Sequence, residues 1–303
     1  MSFPTSRTSA NAEILIDYER CTTCGICVAV CKGGPLYLAD GQLKVDQTSS
    51  FGCMACAACA AVCPTDAIRI SGRDLFPEDI TPLPPASARA DYTSLHALLS
   101  ARRSTRNFLQ RPVEPETIDR ILSSAATAPV GIPPSDVGVL VFRSPAAVAA
   151  LRDDLTDAIK YWPKIFSPLL MKLLRPFIGR ENADMFANFI RPAVKTFIEK
   201  RSAGEDWLLY NAPLLLYFYG TPYNDPADTC VAATLAMLAG ESLGLGTCML
   251  GFPGYIFQYS RGVRRKYGLP RKIQPGLAVI FGYPKYHVRN AVHRRFRDVR
   301  DFD

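Results

Sequence analysis

The apolar positions along the chain change their period from one region to the next, so different regions predict different elements. Apolar residues at helical spacing predict amphipathic helices, one of them with Pro115 near its start, and a run rich in small residues predicts a helix ended by Gly244. Continuous apolar runs bounded by turn residues predict strands. The predicted helices are 92–99, 115–126 and 229–243, and the predicted strands are 14–16, 67–70, 137–142, 214–219 and 276–282.

Prolines divide this pattern into two parts. Residues 76–91 are proline-dense, which predicts a stiff linker between an N-terminal domain, residues 1–75, and a larger domain, residues 92–303. The length of 303 residues suffices for one sizeable core and a small module. Within the larger domain, residues from about 152 to 206 are predicted to form a helical insertion.

The insertion has apolar residues at helical spacing with basic residues between them. We favour packing as a lid or at a dimer interface, but a basic amphipathic helix over 164–178 can also lie on an anionic membrane surface, which would suit a lipid-soluble substrate such as a quinone. Its aromatic residues either line a substrate pocket or, more commonly, pack in the core. The apolar set is Ile165, Phe166, Leu169, Leu170, Leu173, Leu174, Phe177 and Ile178, the basic set is Lys164, Lys172 and Arg175, and the aromatic set is Tyr161, Trp162, Phe186, Phe189, Phe197 and Trp207.

Composition is that of an ordinary globular protein, with 48% hydrophobic and 21% charged residues. The net charge of +7 comes with basic clusters near 102–111, 261–272 and 289–300. We favour a phosphate-bearing cofactor or an acidic electron carrier over nucleic acid as the partner of these clusters. The first ten residues lack the apolar core of a secretory signal and no run of 18 apolar residues occurs, so a cytoplasmic location is expected.

Eight of the ten cysteines fall in two runs of four, each with the spacing C-x2-C-x2-C-x3-C. That spacing predicts two 4Fe–4S clusters, with the fourth cysteine of each run reaching to the other cluster. The first cluster is therefore expected on Cys21, Cys24, Cys27 and Cys63, and the second on Cys53, Cys56, Cys59 and Cys31.

Zinc or disulfides fit these runs less well. Zinc pairs usually lack the third cysteine, and disulfide frameworks belong to short secreted chains. The remaining cysteines, Cys230 and Cys248, are predicted to be buried thiols.

An arginine-rich motif, Arg102-Arg103-Ser104-Thr105-Arg106, opens the larger domain after its first helix. Such a cluster can hold a phosphate through charge-assisted hydrogen bonds, although by itself it fits a solvated basic turn equally well. No G-x-G-x-x-G follows a strand, so a Rossmann nucleotide site is not indicated. Three further motifs follow: a rigid turn at 128–135, a segment at 244–252 after a helix, and a closing part with 281–285 and Arg294-Arg295.

In this order the motifs resemble the nitroreductase family of FMN enzymes over residues 92–300, and the cysteine segment resembles bacterial two-cluster ferredoxins. The whole chain resembles ferredoxin–nitroreductase fusions. The resemblance implies an α+β fold: a small ferredoxin-like domain followed by a mixed, mostly antiparallel sheet wrapped by helices. It also implies a homodimer with FMN in each dimer interface.

The same resemblance implies roles for individual residues, although it names no catalytic residue. Flavin-phosphate and ribityl contacts fall on Arg102, Ser104 and Arg106, with Arg103 nearby, and on the closing pair Arg294 and Arg295. Contacts along the flavin ring fall on Pro129, Val130 and Gly131, and contacts near flavin N5 and O4 fall on Leu250 and Gly251.

Two residues depart from the family pattern. Pro133 stands where many relatives have asparagine, and Leu250 stands where relatives that use nicotinamide often have an acidic residue. Both imply a different environment around the flavin ring and an electron donor other than nicotinamide. The attached ferredoxin domain would be that donor, and an external ferredoxin or another donor would in turn reduce the ferredoxin domain.

These expectations favour an oxidoreductase in which two clusters relay single electrons to FMN, which reduces a nitro, quinone or activated alkene group of a small acceptor. Three alternatives remain open. They are a dehydrogenase that passes electrons outward to a ferredoxin, a non-enzymatic redox sensor or electron-transfer adaptor, and a cofactor-modifying role known among relatives of the fold.

Overall fold

The computed structural model describes residues 10–49, 51–131 and 133–302, and these form two compact units. The first unit contains the described residues between 10 and 89, together with those of segments 129–138 and 220–228. The second contains residues 90–128 and 139–219 and the chain from residue 229 onward. Compared with the predicted domain of residues 1–75, this unit also includes residues 76–89 of the predicted linker and the two later segments.

The described part of the first unit contains two antiparallel strand pairs and two short α-helices, followed by the 3-10 helices Pro77–Asp79 and Ala86–Ala88. The predicted strands at its two ends are confirmed as β1, Glu13–Ile16, and β4, Ile68–Ser71, which pair with each other. Between them lie helix α1, Ile26–Val30, the hairpin of β2, Leu36–Ala39, with β3, Gln42–Val45, and helix α2, Ala58–Ala61.

The β2–β3 hairpin was not predicted. Its turn residues Asp40 and Gly41 both have positive φ, 52° and 72°. An Asp-Gly pair between short strands is a strong hairpin signal, because both central residues of such a turn need that conformation. The sequence therefore contained the signal.

A four-stranded sheet with the order β5-β6-β8-β7 supports the second unit. Strand β8 pairs antiparallel with both of its neighbours, which agrees with the predicted, mostly antiparallel sheet. Strand β7 was not predicted, because it begins with the small or polar residues Gly246 and Thr247 and therefore lacks a continuous apolar run. The strands are β5, Val137–Phe142, β6, Leu214–Gly220, β7, Gly246–Leu250, and β8, Leu277–Gly282.

Among the described residues, seven helices accompany this sheet along the chain. They are α3, Tyr92–Ala101, α4, Pro115–Ala126, α5, Pro145–Ile159, α9, Arg191–Ser202, α10, Pro226–Ser242, α11, Phe252–Tyr259, and α12, Arg261–Lys266. Asp91 caps α3 by accepting from the Ser94 N–H, 2.7 Å from O to N. Helix α10 begins three residues before the prediction, at Pro226, and α5 extends into the region assigned to the insertion.

The insertion is broken into short helices: α6, Trp162–Ile165, α7, Pro168–Ile178, and α8, Arg180–Met185, followed by a π-helical turn, Phe186–Ile190. The single helix predicted over 164–178 is therefore wrong at its start. Ser167 caps α7 by accepting from the Leu170 N–H, and Pro168 stands at the first helical position. Serine followed by proline begins a helix rather than continuing one.

Each unit has its own apolar core. In the first, Ala12, Leu43 and Ile70 are almost fully buried with three of the cluster-run cysteines. In the second, Leu151 and Leu155 of α5 pack with the sheet and α11. Among the described helices, none is both long enough and apolar enough to cross a bilayer.

Candidate iron–sulfur and flavin sites

The two cysteine runs have the same backbone conformation at equivalent positions. Thr23 and Gly25 in the first run, and Ala55 and Ala57 in the second, have φ of 52°, 77°, 59° and 57°. Each run then enters a short helix, α1 or α2. Left-handed conformation at threonine and alanine is strained and persists only where the surroundings impose it. Its repetition indicates that both loops are shaped to wrap the same kind of group.

The first predicted ligand set converges on one cavity. Cys21, Cys24, Cys27 and Cys63 all line it, together with apolar residues such as Leu38. Three of these thiols come from the first run and one from the end of the second. The structure therefore brings together the four thiols that the crossing rule had grouped.

The second predicted set is also grouped across the two runs. Burial, followed by the nearby Cys31 and Cys53, raises the pKa of Cys59 to about 12. Burial first, and then Cys56 and Cys31 among the neighbouring thiols, raises the pKa of Cys53. Cys31 of the first run thus acts on the thiols of the second run, as the crossing arrangement requires.

Cys63 differs from these buried thiols. Burial raises its pKa, but backbone N–H groups of Thr65, Ala67 and Ile68 and the Thr65 hydroxyl outweigh that effect, so the pKa lies below its ordinary value. The Ala67 N lies 3.2 Å from the Cys63 sulfur and donates to it. Donors of this kind also stabilise the charge on cluster sulfurs and help set their potential.

The donor sets fit iron–sulfur clusters. Four thiolates per set match the requirement of one thiolate for each iron of a 4Fe–4S cluster. Within the described ranges, no three Cys, His, Asp or Glu side chains lie close enough to hold one metal ion.

Arg73, which sequence reasoning missed, lies buried in the same unit, with 5% of its surface exposed. Its guanidinium donates to the carbonyl oxygens of Ala10, at 2.8 Å, and Pro133, at 2.6 Å. It also acts electrostatically on Cys53. No sequence pattern marks it, because the carbonyls it binds are distant in the chain.

On the flavin side, the arginine motif is held against β7. The Thr105 N–H donates to the Thr247 carbonyl oxygen at 2.8 Å, and Ser104 forms a parallel bridge with Thr247. Gly246 makes this approach possible, because a Cβ there would lie 2.6 Å from Thr105 Cγ2. The motif is therefore fixed by a close backbone contact with the strand.

Hydrogen bonds after the motif anchor it to residues that follow β8. The Leu109 N–H donates to the Tyr283 carbonyl oxygen at 2.8 Å, and the Lys285 N–H donates to that of Asn107 at 3.0 Å. These contacts bring Arg106 and Lys285 to the lining of one cavity of about 770 Å³. The same lining contains Glu205, which pairs with Lys200, and Asp206, which accepts from the Leu209 N–H, so Arg106 and Lys285 are the cations of this cavity that could bind a phosphate.

The other members of the motif lie elsewhere. Arg102, Arg103 and Ser104 are not among the residues that line the cavity of Arg106. Arg102 is half-buried and points to α10, where its Nη1 lies 3.7 Å from Met237 Sδ. Burial raises the pKa of Glu241, while Arg102 lowers it, so the two side chains act as a partly buried pair.

The predicted ring-side turn belongs to the first unit, unlike the arginine motif. The Gly131 N–H donates to Asp228 Oδ1 at 3.2 Å. Asp228 is 7% exposed, and burial raises its pKa. Pro129 is exposed and Val130 half-buried. The candidate flavin residues are therefore divided between the two units.

The remaining predicted flavin residues lie in the second unit. Leu250 ends β7 and packs in part against the core, and the exposed Gly251 directly precedes α11. Arg294 and Arg295 are exposed in the segment after β8, and no hydrogen bond or ion pair joins either of them to another described residue.

The two remaining cysteines differ in burial. Cys248 is fully buried, as predicted. The prediction for Cys230 is wrong, because the thiol is exposed. Helix α10 presents Ala227 and Cys230, three residues apart, on the same exposed face.

A second cavity, about 310 Å³ in volume, lies beside the end of β7 and is lined by aromatic and aliphatic side chains. Phe252, directly after Gly251, forms one wall, and Trp162 lies 6.2 Å from it between ring centroids. Phe166 and Phe186 stack at 4.8 Å. Of the predicted aromatic set, Trp162 and Phe186 line this cavity, Phe197 packs against the core, and Tyr161, Phe189 and Trp207 are exposed.

Comparison with protein families identifies the class. Residues 99–283 match the model described as Nitroreductase family, and residues 13–64 match that of a 4Fe-4S dicluster domain. The chain belongs to the nitroreductase family and carries a dicluster ferredoxin domain. The predicted fusion is confirmed, and with it the expected class of FMN-dependent oxidoreductase with iron–sulfur clusters.

Solved structures agree with this fold. A nitroreductase with bound FMN from Bacteroides fragilis NCTC 9343 aligns with a TM-score of 0.52 and 16% identity, covering 68% of this chain and 98% of that one. A nitroreductase with bound FMN from Desulfitobacterium hafniense DCB-2 aligns with a TM-score of 0.48 and 19% identity, covering 68% and 96%. A search of curated protein sequences finds no match. The similarity to the Bacteroides fragilis structure shows the α+β fold of the second unit.

Proposed function

We propose that this protein is an iron–sulfur flavoprotein in which two 4Fe–4S clusters relay single electrons to FMN, which reduces a small, planar, apolar acceptor. Clusters supply one-electron transfer, and a flavin supplies the conversion from single electrons to hydride chemistry. The observation that carries the proposal is the grouping of the eight cysteines into two crossed sets of four, on the same chain as a nitroreductase-family domain.

In this proposal the cysteine sets hold the clusters. Cys21, Cys24, Cys27 and Cys63 form one set, and Cys53, Cys56, Cys59 and Cys31 form the other. Since burial and neighbouring thiols raise the pKa of Cys53 and Cys59, ionising them requires the positive charge of bound iron. Metal loading is therefore expected to stabilise the first unit.

The arginine motif would hold the flavin phosphate, with Arg106 and Lys285 as the cations nearest to it. The cavity that they line has room for a ribityl phosphate, and the backbone contact with Thr247 fixes the motif in place. Arg102, Arg103 and Ser104 do not line this cavity, and in this proposal they orient the motif that carries Arg106. The roles of Arg294 and Arg295, and of Pro129, Val130, Gly131, Leu250 and Gly251 along the ring, follow the family pattern.

The aromatic cavity is the proposed acceptor site. It starts at Phe252, next to the residues assigned to flavin N5, and its walls have few polar groups. Such a lining favours nitroaromatic, quinone or activated alkene groups on a flat apolar body. A cavity of about 310 Å³ also favours an enzyme over an adaptor without a substrate.

The proposal includes a homodimer in a reducing compartment such as the cytoplasm. The segment after β8 exposes three large apolar side chains, Phe296, Val299 and Phe302, at 88%, 72% and 91%. A second copy of the chain would remove this apolar surface from water. The cluster cysteines form no disulfides, in line with their use as thiolate ligands.

Anaerobic purification with iron, sulfide and flavin quantified per chain tests the proposal, followed by an acceptor screen. We expect about eight irons per chain, as two 4Fe–4S clusters require, with flavin bound and reduction of flat apolar acceptors. Iron without flavin would overturn the flavin assignment. Flavin reduced by an added substrate, with electrons leaving through the clusters, would instead support the outward-running dehydrogenase.

A further inference from the structure

The outer face of helix α7 is apolar where a surface helix is ordinarily polar. Leu169, Leu173 and Phe177, spaced four residues apart, are 81%, 70% and 85% exposed, while Met171 on the opposite side is 3% exposed. Residues four apart lie on one helix face. The helix therefore buries one side in the protein and presents a continuous apolar stripe on the other.

The charges within α7 and the segment before it have one sign, whereas α8, which packs against α7, carries Glu181 and Asp184, the latter paired with Arg180. Between residues 158 and 180 the basic residues are Lys160, Lys164, Lys172, Arg175 and Arg180, and there is no acidic residue. Lys164, Lys172 and Arg175 are exposed and form no ion pair with any described residue. Exposed apolar side chains flanked by unpaired cations are typical of helices that lie in a membrane interface.

The charge pattern disfavours a second copy as the occupant. A two-fold contact would place the same patch on itself and bring like charges together. An anionic lipid surface instead attracts each cation, by about 1 kcal/mol per Lys or Arg near the surface.

We propose that residues 160–180 dock this protein on an anionic lipid surface, with Leu169, Leu173 and Phe177 inserted among the acyl chains and Lys172 and Arg175 at the phosphates. Ile165, 48% exposed, also lines the aromatic cavity. Docking would thus bring the mouth of that cavity to the lipid, where apolar acceptors concentrate. This last consequence rests on the proposed function, whereas docking itself does not.

Flotation of the full, cofactor-loaded chain with vesicles tests the proposal. Phosphatidylcholine vesicles with phosphatidylglycerol are compared with vesicles of phosphatidylcholine alone. We expect flotation with the anionic vesicles only, and a loss of about tenfold or more in the Lys172→Gln, Arg175→Gln variant. The Leu173→Glu, Phe177→Glu variant should also remain in solution. Leu83→Glu, which changes an equally exposed leucine at 79%, is the matched control and should float like wild type.

Iron and flavin contents equal to wild type show that each variant is folded. Failure of the wild-type chain to bind anionic vesicles, or undiminished binding by both double variants, overturns the proposal. Light scattering tests whether a second copy covers the stripe instead. If wild type does not bind vesicles and the Leu173→Glu, Phe177→Glu variant changes from dimer to monomer, the stripe is an interface between copies.

A second inference concerns Arg73 and rests on different contacts. Its guanidinium is held in the interior by the Ala10 and Pro133 carbonyls, and its Nε is buried without a hydrogen-bond partner. The Ala12 N–H, two residues from Ala10, donates to the Cys53 carbonyl oxygen at 2.9 Å. A buried cation is thus fixed close to the backbone of a predicted ligand of the second cluster.

The geometry points to Arg73 as a positioning residue that raises the reduction potential of the cluster held by Cys53, Cys56, Cys59 and Cys31. Reduction adds one negative charge, and a nearby cation in a poorly solvated interior favours the reduced form. The contact with Pro133 ties the same side chain to the turn that follows the predicted ring-side residues.

A redox titration followed by electron paramagnetic resonance tests this assignment in the full chain. Arg73→Met is expected to shift the reduction equilibrium of one cluster by about tenfold, which is 59 mV for one electron, towards lower potential. Arg73→Lys should restore most of the potential, and Arg69→Met, an exposed arginine on β4, should leave it unchanged. Unchanged potentials in Arg73→Met, or equal shifts in the Lys and Met variants, would overturn the assignment. If the Met variant loses its clusters, the Lys variant decides: it should keep a potential close to that of wild type, and a shifted potential would overturn the assignment.

Discussion

The cluster region and the flavin region of this chain are built in opposite ways. The cluster cysteines come from two adjacent runs with the same backbone conformation, and all lie in one unit. The candidate flavin residues come from four separated segments, and the ring-side turn 129–131 belongs to a different unit from the arginine motif 102–106. A locally encoded site can be read from spacing alone, whereas a dispersed site depends on how the fold assembles its parts.

The largest effect is expected from removing a cluster ligand. Cys59→Ala should lower the iron content to about half, because a 4Fe–4S cluster needs four thiolates. Cys230→Ala, which changes an exposed cysteine outside the runs, is the matched control and should keep all its iron. Iron and sulfide analysis after anaerobic purification measures both. Full iron content in Cys59→Ala would contradict the local ligand assignment.

Arg106→Ala should weaken FMN binding by about tenfold to a hundredfold, since hydrogen bonds to charged groups contribute roughly 1.5–3 kcal/mol. Arg271→Ala removes an exposed arginine outside the motif and serves as the control. Titration of the flavin-free protein, followed by flavin fluorescence, gives both dissociation constants. Equal affinity in the two variants would mean that the phosphate lies elsewhere.

The backbone contact beneath the motif provides a further test of the dispersed site. Gly246→Ala places a Cβ against Thr105 and should cost about 1–3 kcal/mol or displace the motif, with weaker FMN binding. Combining it with Thr105→Gly removes the clashing atoms and should recover part of the affinity. No recovery in the double variant would show that Gly246 acts in some other way.

The smallest effect is expected at Glu114, which joins α4 to residues after β8. A hydrogen bond from the Tyr283 hydroxyl, together with Arg111, holds the pKa of Glu114 at about 2. Since this folded value is depressed, the stabilisation is present above the ordinary pKa of 4.5 and is lost as the pH falls towards 2.

Glu114→Gln should therefore show a weaker loss of thermal stability with acid than wild type. The clusters are lost in acid equally in wild type and variant, so the difference in melting temperature between the two proteins at each pH reports the Glu114 contribution alone. Glu116→Gln, another exposed carboxylate near the start of α4, is the control. The same acid dependence in all three chains would contradict the pairing.

The sequence predicts locally encoded features well and features made by distant residues poorly. The cysteine spacing predicted both ligand sets, and periodicity predicted strands such as β6 and β8, because short-range patterns determine them. Arg73 and the Thr105–Thr247 contact escaped prediction, because their partners are distant in the chain. Helix α7 was placed with the wrong start although Ser167-Pro168 marked it, and β7 was hidden by its small residues.

An anaerobic redox titration of the full chain, with clusters followed by electron paramagnetic resonance and flavin by absorbance, tests the central claim most directly. We expect both clusters to have potentials at or below that of the bound FMN, so that electrons pass from the clusters to the flavin. Clusters with potentials well above the flavin would contradict it, because electrons would then run outward.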